Sequence, residues 1–313
     1  MLDQIINLDS DQLIFFRRQL EYIKSQSYDI KYPLLQATNL FPVSTEAGPG
    51  AETITYEQFD SVGVMKFIAD YADDLPKSDV KGRQFSIIVQ SLGGSYGYSI
   101  QEIRSAQMAN RNLTAMRANA ARRSNDQMAN RIGWFADGSS QWAGLTGILY
   151  HPNTTKTQAV VGNWLNPATT PDQIINDVNV AINAVPTLTN GVEMVDTVVL
   201  PIAQYAHIAS TPRSATSDTT ILEFLRRVHP AVTFVQAQEL VNVNPNPRTG
   251  AAVPTNCMLC YRRSPDHIQY EIPVIYEQFA AQERNLAAIV PVHSRNAGIN
   301  VYYPLAIHQI DGL

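Results

Sequence analysis

Residues Ala51 to Phe135 constrain this chain more than any other stretch. Thr53–Ala69 (TITYEQFDSVGVMKFIA) and Arg83–Tyr98 (RQFSIIVQSLGGSYGY) read as two arms of an extended hairpin, joined by the polar tip Asp70–Gly82 (DYADDLPKSDVKG). In the second arm Phe85, Ile87 and Val89 alternate with Ser86, Ile88 and Gln90, the period of a half-buried strand. Gly63 predicts a bulge or twist in the first arm, and Gly93 with Gly94 a bulge in the second. From Ser99 the pattern turns helical. Ile100, Ile103, Ala106, Ala109, Leu113, Met116, Ala120, Ser124, Met128, Ile132 and Phe135 recur about every 3.5 residues, which predicts a helix packed along its whole length. Asn110, Arg111 and Asn112 interrupt it, since Asn is a poor interior helix former and a good cap. The expectation is a short helix to Ala109 and a main helix from Asn112 to Phe135, roughly 35 Å long at its 1.5 Å rise. Such a hairpin and helix offer much surface and little room for a pocket. That disfavours an enzyme and suits a subunit that reaches its neighbours.

Composition narrows the classes further. At 313 residues the chain is one large domain or two ordinary ones. It is 45% hydrophobic, enough for a core, but only 16% charged, with Asn, Gln, Ser and Thr in place of the missing charge. Two readings stand: ordinary variation, or a surface covered by other subunits, where charge is depleted. A net charge of −5 excludes a dedicated nucleic-acid binder. No apolar run is long enough to span a membrane, and MLDQIINLDSD lacks the basic start and apolar run of a signal peptide. Two cysteines, Cys257 and Cys260, make no disulfide framework and suit a reducing cytoplasm.

Before the hairpin, Asp11–Ser25 reads as a helix with Leu13, Phe16, Leu20 and Ile23 on one face, packed on its own domain or lying as an arm on another subunit. Tyr32–Pro42 reads as extended chain, and Ser44–Gly50 as a hinge. After the long helix, Asp137 and Gly138 form its end, and Gly144–Pro152 (GLTGILYHP) is a tight, glycine-punctuated apolar element. Thr170, Pro171 and Gln173 open a helix to Ala184. Asn190-Gly191 is a turn, Thr197–Leu200 a buried strand, and Pro201–Ile208 a helical turn or two. Ser217 or Asp218 caps a helix to Val228; Val232–Val235 is a strand, Asn242–Pro254 a loop, and Cys257–Arg262 a strand. This alternation predicts an α/β subdomain. Strands are expected again at Ile272–Tyr276, Leu286–His293 and Gly298–Leu305.

No constellation carries catalysis. Cys257 and Cys260 have redox spacing, but Met and Leu lie between them inside an apolar run, and a zinc site needs two more ligands. The favoured reading is a strand with buried thiols. His151, His207, His229, His267, His293 and His308 are scattered, with no metal-binding or nucleophile-elbow pattern. Ser91–Ser95 has glycines but no Gly-Lys-Ser/Thr of a phosphate loop. Asp70, Asp73, Asp74 and Asp79 cluster at the hairpin tip without calcium-loop spacing, so a solvated or partner-contacting tip is expected, with Lys66, Lys77 and Lys81 as ordinary surface lysines. No metal or cofactor is implied.

Four stretches carry a resemblance: Pro49–Tyr56 (PGAETITY), Tyr71–Val80 (YADDLPKSDV), Ser95–Ala109 with Ala118–Asn125 (ANAARRSN), and Gly144–Leu149 (GLTGIL). In these the chain resembles the major capsid proteins of tailed phages with the Hong Kong 97-type fold, and within them a capsid family first catalogued in bacteria and prophages as a domain of unknown function. The resemblance is specific over residues 12–150 and rests on element order beyond about 160. It implies an α+β fold in five parts: an N-terminal arm (1–50), an extended hairpin loop (51–98), a peripheral domain with a long spine helix (99–168), an α/β axial domain (169–283) and a return to the peripheral domain (284–313). It implies a non-enzymatic, self-assembling subunit of an icosahedral shell around phage double-stranded DNA, without sequence-specific binding or membrane contact. The homo-oligomers would be hexamers and pentamers, with portal, scaffold and decoration proteins as further partners. Scaffold would be a separate protein or an N-terminal piece already removed. The shell would be assembled in the host bacterial cytoplasm and the protein would reside in the virion. Asp70, Asp73, Asp74, Lys77, Asp79 and Lys81 are the expected inter-subunit contacts, and no crosslinking lysine–asparagine pair is assigned. The same fold also serves encapsulin-like compartments enclosing a cargo enzyme. A cytosolic enzyme is the rival class. Changing Cys257 and Cys260 to Ser separates it: shells persist if the thiols are structural, and function disappears if they are catalytic.

Overall fold

The computed structural model describes residues 34–67, 77–108, 113–214, 216, 218–243 and 255–313. The helix expected over Asp11–Ser25, the helix interruption at 109–112 and most of the Asn242–Pro254 loop lie outside the described residues. In order, the elements are α1 (Ala37–Leu40), β1 (Val43–Ser44), β2 (Thr53–Val62), β3 (Asp79–Ile88), β4 (Gln90–Ser99), α2 (Ile100–Met108) and α3 (Leu113–Phe135). Then come β5 (Thr155–Gln158), α4 (Pro171–Leu188), β6 (Thr197–Pro201), α5 (Ile202–Ser210), α6 (Ile221–Val228), β7 (Thr233–Ala237) and β8 (Cys257–Tyr261). The last part is all strand: β9 (Ile268–Glu271), β10 (Val274–Gln278), β11 (Gln282–Arg284), β12 (Ala287–Asn296), β13 (Gly298–Val301) and β14 (Ile307–Asp311).

Among the described residues four sheets result, and there β2 and β3 pair only with each other, from Thr53↔Ile88 to Val62↔Asp79. The hairpin ladder therefore ends at Ile88. β4 leaves it after buried Val89 and pairs over its whole length with β12, whose other side carries β10 and β11. This register runs unbroken, so Gly93 and Gly94 sit in a regular strand and not in the expected bulge. β1, β9 and β13 form a third sheet.

The fourth sheet, in the order β5-β14-β8-β6-β7, organises the core. Successive strand residues point to opposite faces, and β6 and β8 are buried throughout. Cys257, Leu259 and Tyr261 pack with Phe41, Trp134, Leu149 and Tyr270 in one core. Met258 and Cys260 pack with Trp164, Val178 and Leu225 in another, under α4 and α6. Two buried faces explain why TVVL and CMLC are unbroken apolar runs. β14 was not expected, because its sequence IHQID is polar. Its polar side chains are satisfied in part by each other or a neighbour: Gln309 donates to Asp311 at 2.7 Å, and His308 Nε2 lies 3.0 Å from Thr157 Oγ1, while His308 Nδ1 and Gln309 Oε1 are buried without a partner among the described residues. The chain's last segment thus divides: β12 and β13 pair near the long helix, and β14 enters the α/β sheet beside β8 and β5.

Several local expectations are corrected. The stretch Tyr32–Pro42 is not wholly extended. Asn130 Oδ1 accepts from the Ala37 amide at 2.9 Å and α1 forms there, a tertiary cap with no sequence period behind it. α4 has the expected capping box, with the Thr170 amide donating to Gln173 Oε1 at 2.8 Å, and runs on to Leu188 through Pro186. α6 is capped by Thr220, not by Ser217 or Asp218, because Glu223 completes a capping box three residues on. α3 is not packed along its whole length: Ile132 is fully buried, whereas Met116 is 50% exposed.

The end of α3 is held by the glycine-punctuated element. Gly147, Ile148 and Leu149 donate their amides to the carbonyls of Ala136, Gly133 and Trp134 at 2.7, 2.9 and 3.2 Å. These are the carbonyls a helix end leaves without partners. The approach is so close that a Cβ on Gly147 would stand 2.6 Å from the Ile132 carbonyl oxygen. Gly147→Ala is therefore expected to destabilise the fold by about 3 kcal/mol, the upper range for overpacking, and calorimetry of that variant measures it. A second expectation concerns pH. Burial holds the His308 imidazole below its ordinary 6.5, so the folded chain stays neutral there while the unfolded chain takes a proton. His229 shifts the same way for the same reason. Stability is then full above the unfolded value and declines as pH falls below it. The melting temperature should drop from pH 7 toward pH 5, and His308→Gln should flatten that slope.

Candidate functional site

The uncovered surface of this protein is its most unusual chemistry. Alternation along the hairpin places Ile54, Tyr56, Gln58, Asp60 and Val62 on one face, opposite Ile87, Phe85, Arg83, Lys81 and Asp79. Near the base this face is aromatic: Tyr56 stacks on Phe85 at 5.2 Å and meets Tyr302 edge-on at 4.8 Å. Tyr302 is held in turn by donating to Gln269 Oε1 at 2.7 Å. Toward the tip the face becomes charged, with Asp60 directly across from Lys81. Of the half-buried face predicted at Phe85, Ile87 and Val89, Val89 is buried and Ile87 partly buried, with Ile88 exposed on the other side as expected. Phe85 remains exposed within the subunit. Beyond Val62 the ladder stops, well short of the expected Ala69, and Val64, Met65 and Phe67 are 67%, 94% and 105% exposed. A group of large apolar residues this bare marks an interaction surface.

Of the residues expected to contact a neighbour, Asp70, Asp73 and Asp74 lie outside the described residues. Lys77, Asp79 and Lys81 are exposed on the hairpin, and Asp79 Oδ1 accepts from the Val80 amide at 2.8 Å. Sequence reasoning stressed this polar tip and passed over Val64, Met65 and Phe67. Their signal was present as VGVMKF, which has no alternation to hide its apolar residues.

Where β4 meets the helices, a charged corner fixes the turn. Ser99 and Glu102 form a capping box: the Ser99 amide donates to Glu102 Oε2 at 3.0 Å and the Glu102 amide to Ser99 Oγ at 3.1 Å. Arg117 of α3 grips both Glu102 oxygens, at 2.8 and 3.0 Å, and also donates to the Gly97 carbonyl. The Arg117 hydrogen bond, then the Ser99 amide, holds the Glu102 carboxyl down at about 2. The spacing S-x-x-E was legible; the long-range arginine was not. A groove of about 350 Å³ opens beside this corner, between β4, β12 and α3, with Leu92, Gly94, Ala121, Met128, Val292 and His293 among its walls.

The Cys257–Cys260 pair is not a site. Two strand residues three apart point to opposite faces, so the thiols belong to different cores. Burial pushes both thiols up from their ordinary value, well away from the thiolate.

Comparisons with known proteins follow the same outline. The family model described as Major capsid protein matches residues 63–313. The capsid of Myoviridae phage XM1 is similar in structure at 20% identity and a TM-score of 0.82, covering 95% of this chain and 98% of its own. A structure from Mycobacterium phage Ogopogo aligns at 10% identity and TM-score 0.62, covering 95% and 98%. The capsid of a native GTA particle aligns at 9% identity and TM-score 0.60, covering 99% of each chain. These likenesses establish the Hong Kong 97-type α+β fold. No curated protein matches the chain.

Two measurements check this surface. Thiol reagents at pH 8 should leave Cys257 and Cys260 unmodified in the native protein and label both after unfolding; fast native labelling would contradict the two-core placement. In the free monomer, hydrogen exchange along Thr53–Ile88 should be fast compared with β6 and β8, and strong protection of the hairpin would count against an unfilled interface.

Proposed function

The chain belongs to the major capsid protein family, and from that premise we propose that it forms the icosahedral shell of a tailed phage around double-stranded DNA. As a capsid protein its role is structural, and the family assignment favours a viral shell over a compartment enclosing an enzyme. The observation that carries the finer reading is the hairpin of residues 53–88, which pairs with no other strand among the described residues and leaves large apolar side chains bare.

In this reading the hairpin overlaps an adjacent subunit, with Asp70, Asp73, Asp74, Lys77, Asp79 and Lys81 as contacts near its tip. The peripheral part (99–168), built on the spine helix α3, and the axial part (169–283) pack into hexamers and pentamers. The return segment is 284–313, and 1–50 is the arm. Many modest interfaces then sum over a closed symmetric lattice. A net charge of −5 fits DNA that is contained rather than gripped. Portal, scaffold and decoration proteins complete the particle, assembled in the host bacterial cytoplasm.

Electron microscopy of the purified protein under assembly conditions tests this directly. Closed shells are expected; a protein that stays monomeric under all such conditions and is absent from virions sinks the reading. Replacing residues 58–83 by a short glycine-containing turn should leave the melting temperature nearly unchanged, because the described residues of that segment contribute nothing to either core, and should abolish shells.

A further inference from the structure

We infer that the cleft between the base of the hairpin and the turn before β9 binds an aliphatic polyamine. Its ammonium groups would meet Glu46, Glu57 and Asp266, and its methylene chain would lie along tyrosine rings. The site belongs to the single subunit and does not depend on the shell reading above.

The cleft has a volume of about 730 Å³. One wall is β2 from Tyr56 to Phe59, and the other is Asp266 and Gln269 with Tyr302 and Tyr303. Its carboxylates come from three separate stretches of chain, and no lysine or arginine is among its walls. Arg83, across from Gln58 in the hairpin ladder, is not one of them. Glu46, Glu57 and Asp266 form no ion pair among the described residues. Behind Tyr302 lies a fourth carboxyl, Glu271, which is 3% exposed and accepts from the Tyr302 hydroxyl at 3.4 Å. Burial pushes this carboxyl above its ordinary range, and the Glu46 charge adds to the effect. Like charges gathered without a cation repel one another, and a cation between them removes that repulsion.

A buried amide gives an independent sign of a ligand. Asn300 lies directly across from Gln269 in the β9–β13 pair, so its side chain shares the sheet face that lines the cleft. It is 3% exposed, and its Nδ2 sits near the Tyr302 hydroxyl without a well-formed hydrogen bond. Turned over, the same amide presents its oxygen to an ammonium donor. The walls then select the kind of cation. Among the described residues no three His, Cys, Asp or Glu side chains are grouped to hold a metal ion. Aromatic faces favour an organic cation instead: Tyr56 meets Tyr302 edge-on at 4.8 Å, and Tyr303 is 47% exposed. Methylene groups pack on such rings while their charged ends reach outward. Several carboxylates around an aromatic cleft match several ammonium groups joined by short aliphatic chains. Glu57 belongs to the hairpin and Asp266 to the body, so the ligand bridges the two and steadies the hairpin base.

Calorimetric titration of the intact protein with spermidine, at constant ionic strength, tests the site. One saturable site is expected, with no comparable binding of magnesium ions. Glu57 and Asp266 are exposed, so Glu57→Gln combined with Asp266→Asn should keep the melting temperature of the free protein. The pair of changes should weaken spermidine binding about tenfold, the loss of two exposed ion pairs. Tyr303→Leu should weaken it about threefold, through the lost ring face and with no change of charge. Hydrogen exchange at Tyr56–Phe59 should slow when spermidine is added. Unchanged affinity in the double variant, equal binding of magnesium, or much tighter binding of an oligolysine peptide overturns the site; the last result assigns the cleft to a protein partner. Shell formation is scored separately by electron microscopy. Shells from a protein that binds no spermidine overturn this inference alone, and spermidine binding without shells supports it while the shell reading fails.

Discussion

Three backbone hydrogen bonds at the end of one helix hold this fold together. The amides of Gly147, Ile148 and Leu149 cap the carbonyls of Ala136, Gly133 and Trp134. That contact turns Ile148, Leu149 and Tyr150 into the core where Trp134, Phe41 and Tyr261 meet. Gly298, at φ +79°, brings β13 against the same element, and the Ile299 amide donates to the Thr146 carbonyl at 2.7 Å. The helix end, the three-stranded sheet and one face of the five-stranded sheet thus meet at a few glycines where a side chain would not fit.

The low charge content finds part of its explanation inside the molecule. Amide side chains do interior work that charges could do only at a desolvation cost. Asn130 accepts from Ala37 and donates to Glu239 at 2.7 Å. Asn296 donates to the Tyr270 hydroxyl at 2.7 Å and accepts from the Gly298 amide at 2.7 Å, and Tyr270 donates to the Ala129 carbonyl at 2.6 Å. Asn125 reaches the Ile275 carbonyl at 3.0 Å. These bonds tie the long helix to strands far along the chain. The two sequence readings of composition, ordinary variation and covered surface, are therefore joined by a third use, neutral polar groups as internal fasteners.

Stability and assembly occupy different parts of the chain. The two cores, on either side of the β5-β14-β8-β6-β7 sheet, are complete within the subunit. The hairpin and the first turns of α3 are not, and they leave Phe59, Val64, Met65, Phe67 and Met116 exposed. A family of shell subunits fits this division: a core that folds alone, and projecting elements whose apolar area is covered only by neighbours. The charged corner of Glu102 and Arg117 fixes the junction of β4 with α2 and α3.

The sequence by itself determined whatever depends on neighbours in the chain. The hairpin, the Thr170 capping box and the buried runs TVVL and CMLC all follow from period, propensity and local hydrogen bonds. The resemblance carried by GLTGIL and the other motifs located the family. Tertiary structure decided the rest. It sent β4 to β12 and not to β2, placed the polar strand β14 in a buried sheet, and put Cys257 and Cys260 in separate cores. It also left bare the first part of a helix stripe, at Met116, Ala120 and Ser124, whose period promised burial. The reason is physical: periodicity says which residues share a face, but what covers that face is set by partners far away in sequence.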